Sequence, residues 1–272
     1  MTANTNKNMT MSLNIIVLAK QVPDTRCVNQ GTMNADGTIN RAALPVIVNP
    51  DDMKALEQAL RLKEQYPGTT VQVLTMGPAR AAEVVREGLF RGADGGYLLS
   101  DGAFAGADTL ATSYALATAI GKMGKCDIVL CGRQAIDGET AQVGSQVAQR
   151  LGMPQITYAE EIFSVTDGYV VVKRRIDDGI EVVEAPLPLV VTVDGSAVPC
   201  RPRNAKWLMS YKNADVETWS AEEIGADMAQ CGLLGSPTRV MAVESVVLKA
   251  KESRVMGSSD EEIENLMVEL LA

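Results

Sequence analysis

Four short apolar runs alternate with helix-patterned stretches through residues 14–151, and this alternation restricts the fold more than any other feature of the chain. The runs occupy residues 14–20 (NIIVLAK), 70–76 (TVQVLTM), 96–100 (GYLLS) and 127–131 (DIVLC). Each is apolar at consecutive positions, the mark of a strand covered on both faces. The first helix is expected from residue 50, with Asn49 as N-cap and Pro50 at its first position. It would bury Met53, Leu56, Ala59, Leu60 and the stem of Lys63, and end before Pro67-Gly68. Further helices are expected over 79–90, 108–123 and 141–151, the last stopped by Gly152 and Pro154. The pattern predicts an α/β fold with a parallel sheet.

From Gln155 the pattern changes. Runs at 162–165, 169–175, 180–184 and 189–193, divided by Asp167-Gly168 and Asp178-Gly179, read as antiparallel strands at the sheet edge or a small ribbon layer. Residues 26–48 read as loop with a short ribbon over 38–48. Beyond Pro199 periodicity fades, with weak helical stretches at 206–211 and 221–229 and a clear amphipathic one at 260–271. The expected division is a disordered leader (1–12), an α/β nucleotide-binding domain (13–200) and a C-terminal arm (201–272) laid over another subunit.

The stretch after the fourth run is the candidate site: Gly132, Arg133, Gln134, Ala135, Ile136, Asp137, Gly138, Glu139, Thr140, Ala141, Gln142 and Val143. It is a strand-to-helix turn at a carboxyl strand end, where open α/β sheets place ligands. Gly132 and Gly138 lack a Cβ and allow backbone to approach a bound group. Amides opening the next helix attract phosphate. Gln134, Asp137, Thr140 and Gln142 add donors and acceptors for a base, ribose or phosphate. An ordinary βα loop capped by Asp or Thr fits the same spacing.

Several classes are excluded. A net charge of −9 builds no basic stripe for nucleic acid. No apolar run reaches the roughly 20 residues of a membrane span, and residues 1–12 lack the apolar segment of a signal peptide. Five cysteines without a C-x-x-C pair point to a reducing cytoplasm. Histidine is absent, which removes Ser-His-Asp and Cys-His catalysis and the usual zinc sites. No G-x-G-x-x-G or G-x-x-x-x-G-K-[ST] occurs. Catalytic and metal-binding residues are therefore expected to be none, with the chemistry borrowed from a cofactor.

Five segments carry a resemblance over nearly the whole chain, from Leu13 to Leu271. They are Lys20-Gln21-Val22-Pro23-Asp24; Asn49-Pro50-Asp51-Asp52 with Ala59-Leu60-Arg61-Leu62-Lys63; Thr75-Met76-Gly77-Pro78; the run Gly132 to Gly144; and Arg174-x-x-Asp177-Asp178-Gly179-x-Glu181-x-Val183 followed by Pro188-x-Val190-Val191-Thr192. In this order they resemble the β subunit of the electron transfer flavoproteins. The resemblance implies a Rossmann-like sheet of the adenine nucleotide alpha-hydrolase type, paired with a homologous α subunit. It implies a nucleotide clasped by Leu18, Ala19 and Lys20, by Asn49, Asp51 and Asp52, by Met76, and by Gly132 to Val143. Met76 would lie against the base, or serve as an ordinary core methionine.

In housekeeping members of that family the β site holds AMP; in bifurcating members it holds FAD, with a further FAD mainly in the α subunit. The run Arg133 to Gly144 resembles the bifurcating loop. So does Gly106 to Ser113, where the helix start at Asp108 and hydroxyls such as those of Thr109 and Thr112 would receive pyrophosphate and ribityl oxygens; Asp108-Thr109 is equally a plain helix cap. The implied role is electron carriage between NADH or an acyl-CoA-type dehydrogenase and another acceptor, with ferredoxin or flavodoxin as a further partner. NADH-oxidising bifurcation would occur only in the αβ complex. Around Pro199 to Trp207, where the family often exposes a docking Leu, this chain has Ala205 and Lys206, and Arg174-Arg175 is more basic than usual. A non-redox nucleotide-binding module of the stress-protein kind is the other outcome open to the pattern.

Overall fold

The computed structural model describes residues 11–27, 44–239 and 255–271. The chain forms two compact units, Met1–Arg239 and Val240–Ala272. In the first, β1 (Asn14–Leu18) leads into an antiparallel ribbon of β2 (Gln21–Pro23) and β3 (Val46–Val48). Strict alternation follows: α1 (Pro50–Gln65), β4 (Thr70–Met76), α2 (Ala82–Leu89), β5 (Gly95–Leu99), α3 (Thr109–Met123), β6 (Ile128–Gly132) and α4 (Val143–Leu151). Next come β7 (Gln155–Thr166), β8 (Tyr169–Ile176), β9 (Gly179–Pro186), β10 (Leu189–Val193), α5 (Ala205–Tyr211) and β11 (Glu217–Trp219). The second unit contains α6 (Asp260–Leu271), an acidic amphipathic helix with no buried residue. Among the described residues no helix is long and apolar enough to cross a membrane.

Nine strands make one sheet in the order β11-β5-β4-β1-β6-β10-β7-β8-β9. Pairing is parallel from β11 through β7 and antiparallel across β7, β8 and β9. Side chains of a strand alternate between faces, and here both sets are buried. Ile15 and Val17 join α1 and α2 in one core cluster; Ile16 and Leu18 join α3 and α4 in the other. Ile128 and Leu130 against Val129 and Cys131 repeat the division, as do Leu189, Val191 and Val193 against Val190. Covering on both sides is why these runs are apolar at nearly every position.

The structure corrects the reading of residues 155–193. The run 189–193 is not an antiparallel addition. As β10 it lies inside the sheet, parallel to both β6 and β7. The antiparallel part is the hairpin pair beyond it, where the second half of β7 pairs with β8 and β8 with β9. The first strand ends at Leu18, short of Lys20. Residues 221–229 are turns, not a helix, with a 3₁₀ turn at Met228–Gln230. The expected ribbon over 38–48 is β2 with β3 in its described part, since 38–43 lie outside the described residues. Residues 1–10 of the expected leader also lie outside them, while Met11 packs against the first core cluster.

Residues 201–239 belong to the first unit. Arg201 donates to Glu57 on α1 through its amide at 3.0 Å and its guanidinium at 2.9 and 3.1 Å. β11 adds to β5 at the sheet edge, and Trp219, 6% exposed, stacks on Tyr97 with ring centroids 4.1 Å apart. Ala221, Ile224 and Cys231 complete the second cluster. A three-residue strand gains little from its own ladder, so the buried indole is what holds it. Trp219→Ala is expected to cost about 3–5 kcal/mol, read as a lower urea midpoint with the slope unchanged.

Candidate functional site

The sheet order reverses between β1 and β6. The chain steps from β1 outward to β4 and β5, then returns across β1 to β6. Open α/β sheets bind ligands at the crevice such a reversal leaves at the carboxyl ends. The first turn of α1 meets both strand ends there through Asp52. Its Oδ2 accepts from the Lys20 amide and its Oδ1 from the Gly132 amide, each at 2.9 Å. Burial pushes the Asp52 carboxyl up to about 7, against the Lys20 and Gly132 amides, which favour its ionised form. The close approach fixes Gly132: a Cβ there would stand 2.6 Å from Asp52 Oδ1 and 2.7 Å from the Asp51 carbonyl carbon. Gly144 does the same for α4, since its Cβ would stand 2.7 Å from the Thr192 methyl.

The loop from Arg133 to Gln142 has a pinned root and an open tip. The Arg133 amide donates to the Val193 carbonyl at 2.8 Å, extending the ladder between β6 and β10. Asn49 then holds the root, donating Nδ2–H to the Gln134 carbonyl at 2.8 Å and accepting from the Ile136 amide at 3.2 Å. The Glu139 amide closes a turn on the Ala135 carbonyl at 2.9 Å. Lys20 Nζ meets both oxygens of Asp137 at 2.7 Å. Asp137, Gly138, Glu139 and Thr140 are exposed. Glu139 and Ala141 take φ of 52° and 53°, left-handed conformations that cost non-glycine residues about 1 kcal/mol each. Among the described residues, the amides of Gly138, Thr140 and Ala141 meet no acceptor in the chain. α4 opens directly after them on Gln142, with no side-chain cap bond, so its first-turn amides add to the same row of donors.

Charged groups flank this row. The Arg133 guanidinium lies 4.0 Å from Asp51 Oδ2, 3.8 Å from Asp194 Oδ2 and 6.0 Å from the Tyr158 ring centroid. Its Nε is buried and has no hydrogen-bond acceptor among the described residues. Burial acts to raise the Asp194 carboxyl, but the Ser196 amide and hydroxyl and the nearby Arg133 hold it below the usual carboxylate value. Asp194 and Tyr158 escaped the sequence reading because both depend on where β10 lies. With β10 beside β6, the residue following its carboxyl end joins the site.

The segment beginning at Asp108 is a helix cap. Asp108 Oδ1 accepts from the Ala111 amide at 3.0 Å, while Oδ2 accepts from the Thr238 amide at 3.2 Å and hydroxyl at 2.7 Å. Thr109 reaches the loop, donating to Gln142 Oε1 at 2.9 Å. The Thr112 amide donates to the Asp108 carbonyl at 2.9 Å within the first turn of α3. Leu18 is buried in the core, half-buried Ala19 donates its amide to the Leu74 carbonyl, and half-buried Met76 packs on the second cluster at the end of β4.

The sequence pattern of the electron transfer flavoprotein domain matches residues 36–224. The chain belongs to the electron transfer flavoprotein family. It is 46% identical over 259 residues to the caffeyl-CoA reductase–Etf complex subunit CarD of Acetobacterium woodii, covering 95% of this chain and 98% of that one. It is 41% identical over 259 residues to an electron transfer flavoprotein subunit beta of Thermoanaerobacterium thermosaccharolyticum, with 95% and 98% covered. To the acryloyl-CoA reductase electron transfer subunit gamma of Anaerotignum propionicum it is 40% identical over 267 residues, with 95% and 98% covered. Membership sets aside the non-redox module. Within this flavoprotein family member, the two loop glycines are expected to behave differently. Gly132→Ala should lose about 2 kcal/mol of unfolding free energy through overpacking against α1. Gly138→Ala, with no atom within 4 Å of its Cβ, should leave the denaturation midpoint unchanged.

Proposed function

We propose that the chain is the β subunit of a heterodimeric electron transfer flavoprotein and holds an adenine nucleotide across the reversal between β1 and β6. The observation that carries this reading is the row of unpartnered amides at Gly138, Thr140 and Ala141, continued by the uncapped start of α4. An anion fits such donors. Lys20 and Arg133 add positive charge beside them, and the buried Arg133 Nε lacks an acceptor of its own. Met76 and the end of β1 offer apolar surface for a ring system. Gln134 and Gln142 supply amides for a base or ribose.

In this reading the nucleotide is FAD, which supplies the redox chemistry when bound. The relative from A. woodii is by name part of a caffeyl-CoA reductase–Etf complex, and the loop from Arg133 resembles the bifurcating form. AMP is the second reading, favoured by one observation: both oxygens of Asp108 already accept from the α3 cap and Thr238, leaving less acceptor capacity for the ribityl hydroxyls of a longer cofactor. An α subunit completes the molecule, and a dehydrogenase or reductase acting on a CoA ester exchanges electrons with it. NADH and ferredoxin or flavodoxin are the further partners of the bifurcating form, in the cytoplasm. Acid extraction and chromatography of the coexpressed αβ complex decide between the readings. Two FAD per pair are expected; one FAD with one AMP would assign the housekeeping form, and no nucleotide beyond the α-subunit FAD would overturn the site. The lone chain is expected to show negligible NADH-dependent dye reduction.

A further inference from the structure

We propose that Asn49 and Asp52 are positioning residues: their side chains face the protein, and they set the loop root and the two strand ends at the spacing a nucleotide needs. This deepens the proposed function and rests on it for the ligand. Both side chains are out of solvent, Asn49 at 0% and Asp52 at 7% exposure. Every polar atom of the two has a partner in the chain.

Asn49 occupies the N-cap of α1, where an Asn ordinarily turns its oxygen on the helix amides. Here it makes no such bond. Its amide instead donates to residue 134 and accepts from residue 136, as the peptide group of a neighbouring strand would. Only a side-chain amide carries both a donor and an acceptor in that plane. The backbone amide of Asn49 donates to the Lys20 carbonyl at 2.9 Å, so the same residue ties the loop root to the end of β1. Asp52, one turn along, joins the end of β1 to the end of β6. The fixed point of the loop is therefore the start of α1. The tip from Asp137 onward presents its amides from that fixed root.

The test uses the αβ complex stripped of its β-site nucleotide. It compares wild type with Asn49→Asp, which keeps the shape and the acceptor but sets an oxygen against the Gln134 carbonyl, and with Asn49→Ala. Amide hydrogen exchange is followed at Ile136 and Glu139, loop amides that have acceptors in the chain, and in the sheet at Val17 and Val129, and AMP affinity is measured by calorimetry. Both variants are expected to exchange at least about tenfold faster at Ile136 and Glu139, with the sheet unchanged, and to bind AMP about tenfold more weakly. Asp52→Asn, which turns an amide donor against a backbone donor, should give the same pattern extended to residues 20 and 132. Lost affinity with unchanged loop exchange would mean a direct contact and overturn the proposal. Faster exchange across the whole sheet would mean a general structural role and overturn it equally. A wild-type complex that binds neither AMP nor FAD would sink the functional reading, while the exchange arm would still decide the positioning role.

Discussion

One buried carboxylate joins the halves of this molecule. Asp52 takes one amide from Gly132 at the end of β6 and one from Lys20, just past the end of β1, and the helix bearing it starts at the sheet reversal. A carboxylate removed from water is costly unless its oxygens are met by donors, and two backbone amides meet them. The same contact removes any room for a side chain at residue 132. Helix start, strand ends and glycine form one arrangement, and loosening any of them alters the crevice. Asn49, at the N-cap of that helix, passes the constraint on to the loop.

Electrostatically the crevice is not a basic pocket. Asp51, Asp137, Glu139 and Asp194, with the buried Asp52, outnumber Lys20, Lys54 and Arg133, in a chain whose net charge is −9. All three cations already stand near carboxylates. An anion held here, as proposed, would be met chiefly by backbone dipoles: the exposed loop amides and the start of α4. Dipoles fixed by the fold keep their direction when a ligand arrives, whereas lysine and arginine side chains must be ordered. The left-handed backbone at Glu139 and Ala141 is a cost placed at the tip of this loop, where strain commonly accompanies a binding role.

The edges of the sheet are finished by parts of the chain far from the crevice. β11 and its stacked indole cover β5 on one side, and the antiparallel hairpins extend the sheet on the other. Arg201 seats the return of the chain on α1 through Glu57, whose carboxylate is buried and doubly engaged. The helix that opens the crevice is thus held at its middle by a segment that follows β10.

The sequence by itself determined the parallel α/β core and the place of the loop. Strands covered on both faces are apolar at most consecutive positions, so residues 14–20, 70–76 and 127–131 announce themselves, with ends a residue or two from the true ones, and Pro50 and Gly152 mark helix ends through local backbone chemistry. Tertiary structure alone decided which strands are neighbours. The run 189–193 looks the same whether it lies at an edge or between β6 and β7, because local pattern records burial and not the partner. Asp194 and Tyr158 joined the site only once β10 was inside the sheet. Likewise the spacing of Asn49 and Asp52 at a helix start gives no direction for their side chains. Their turn inward comes from strand ends and a loop as many as 87 residues away, contacts that exist only when the sheet is assembled.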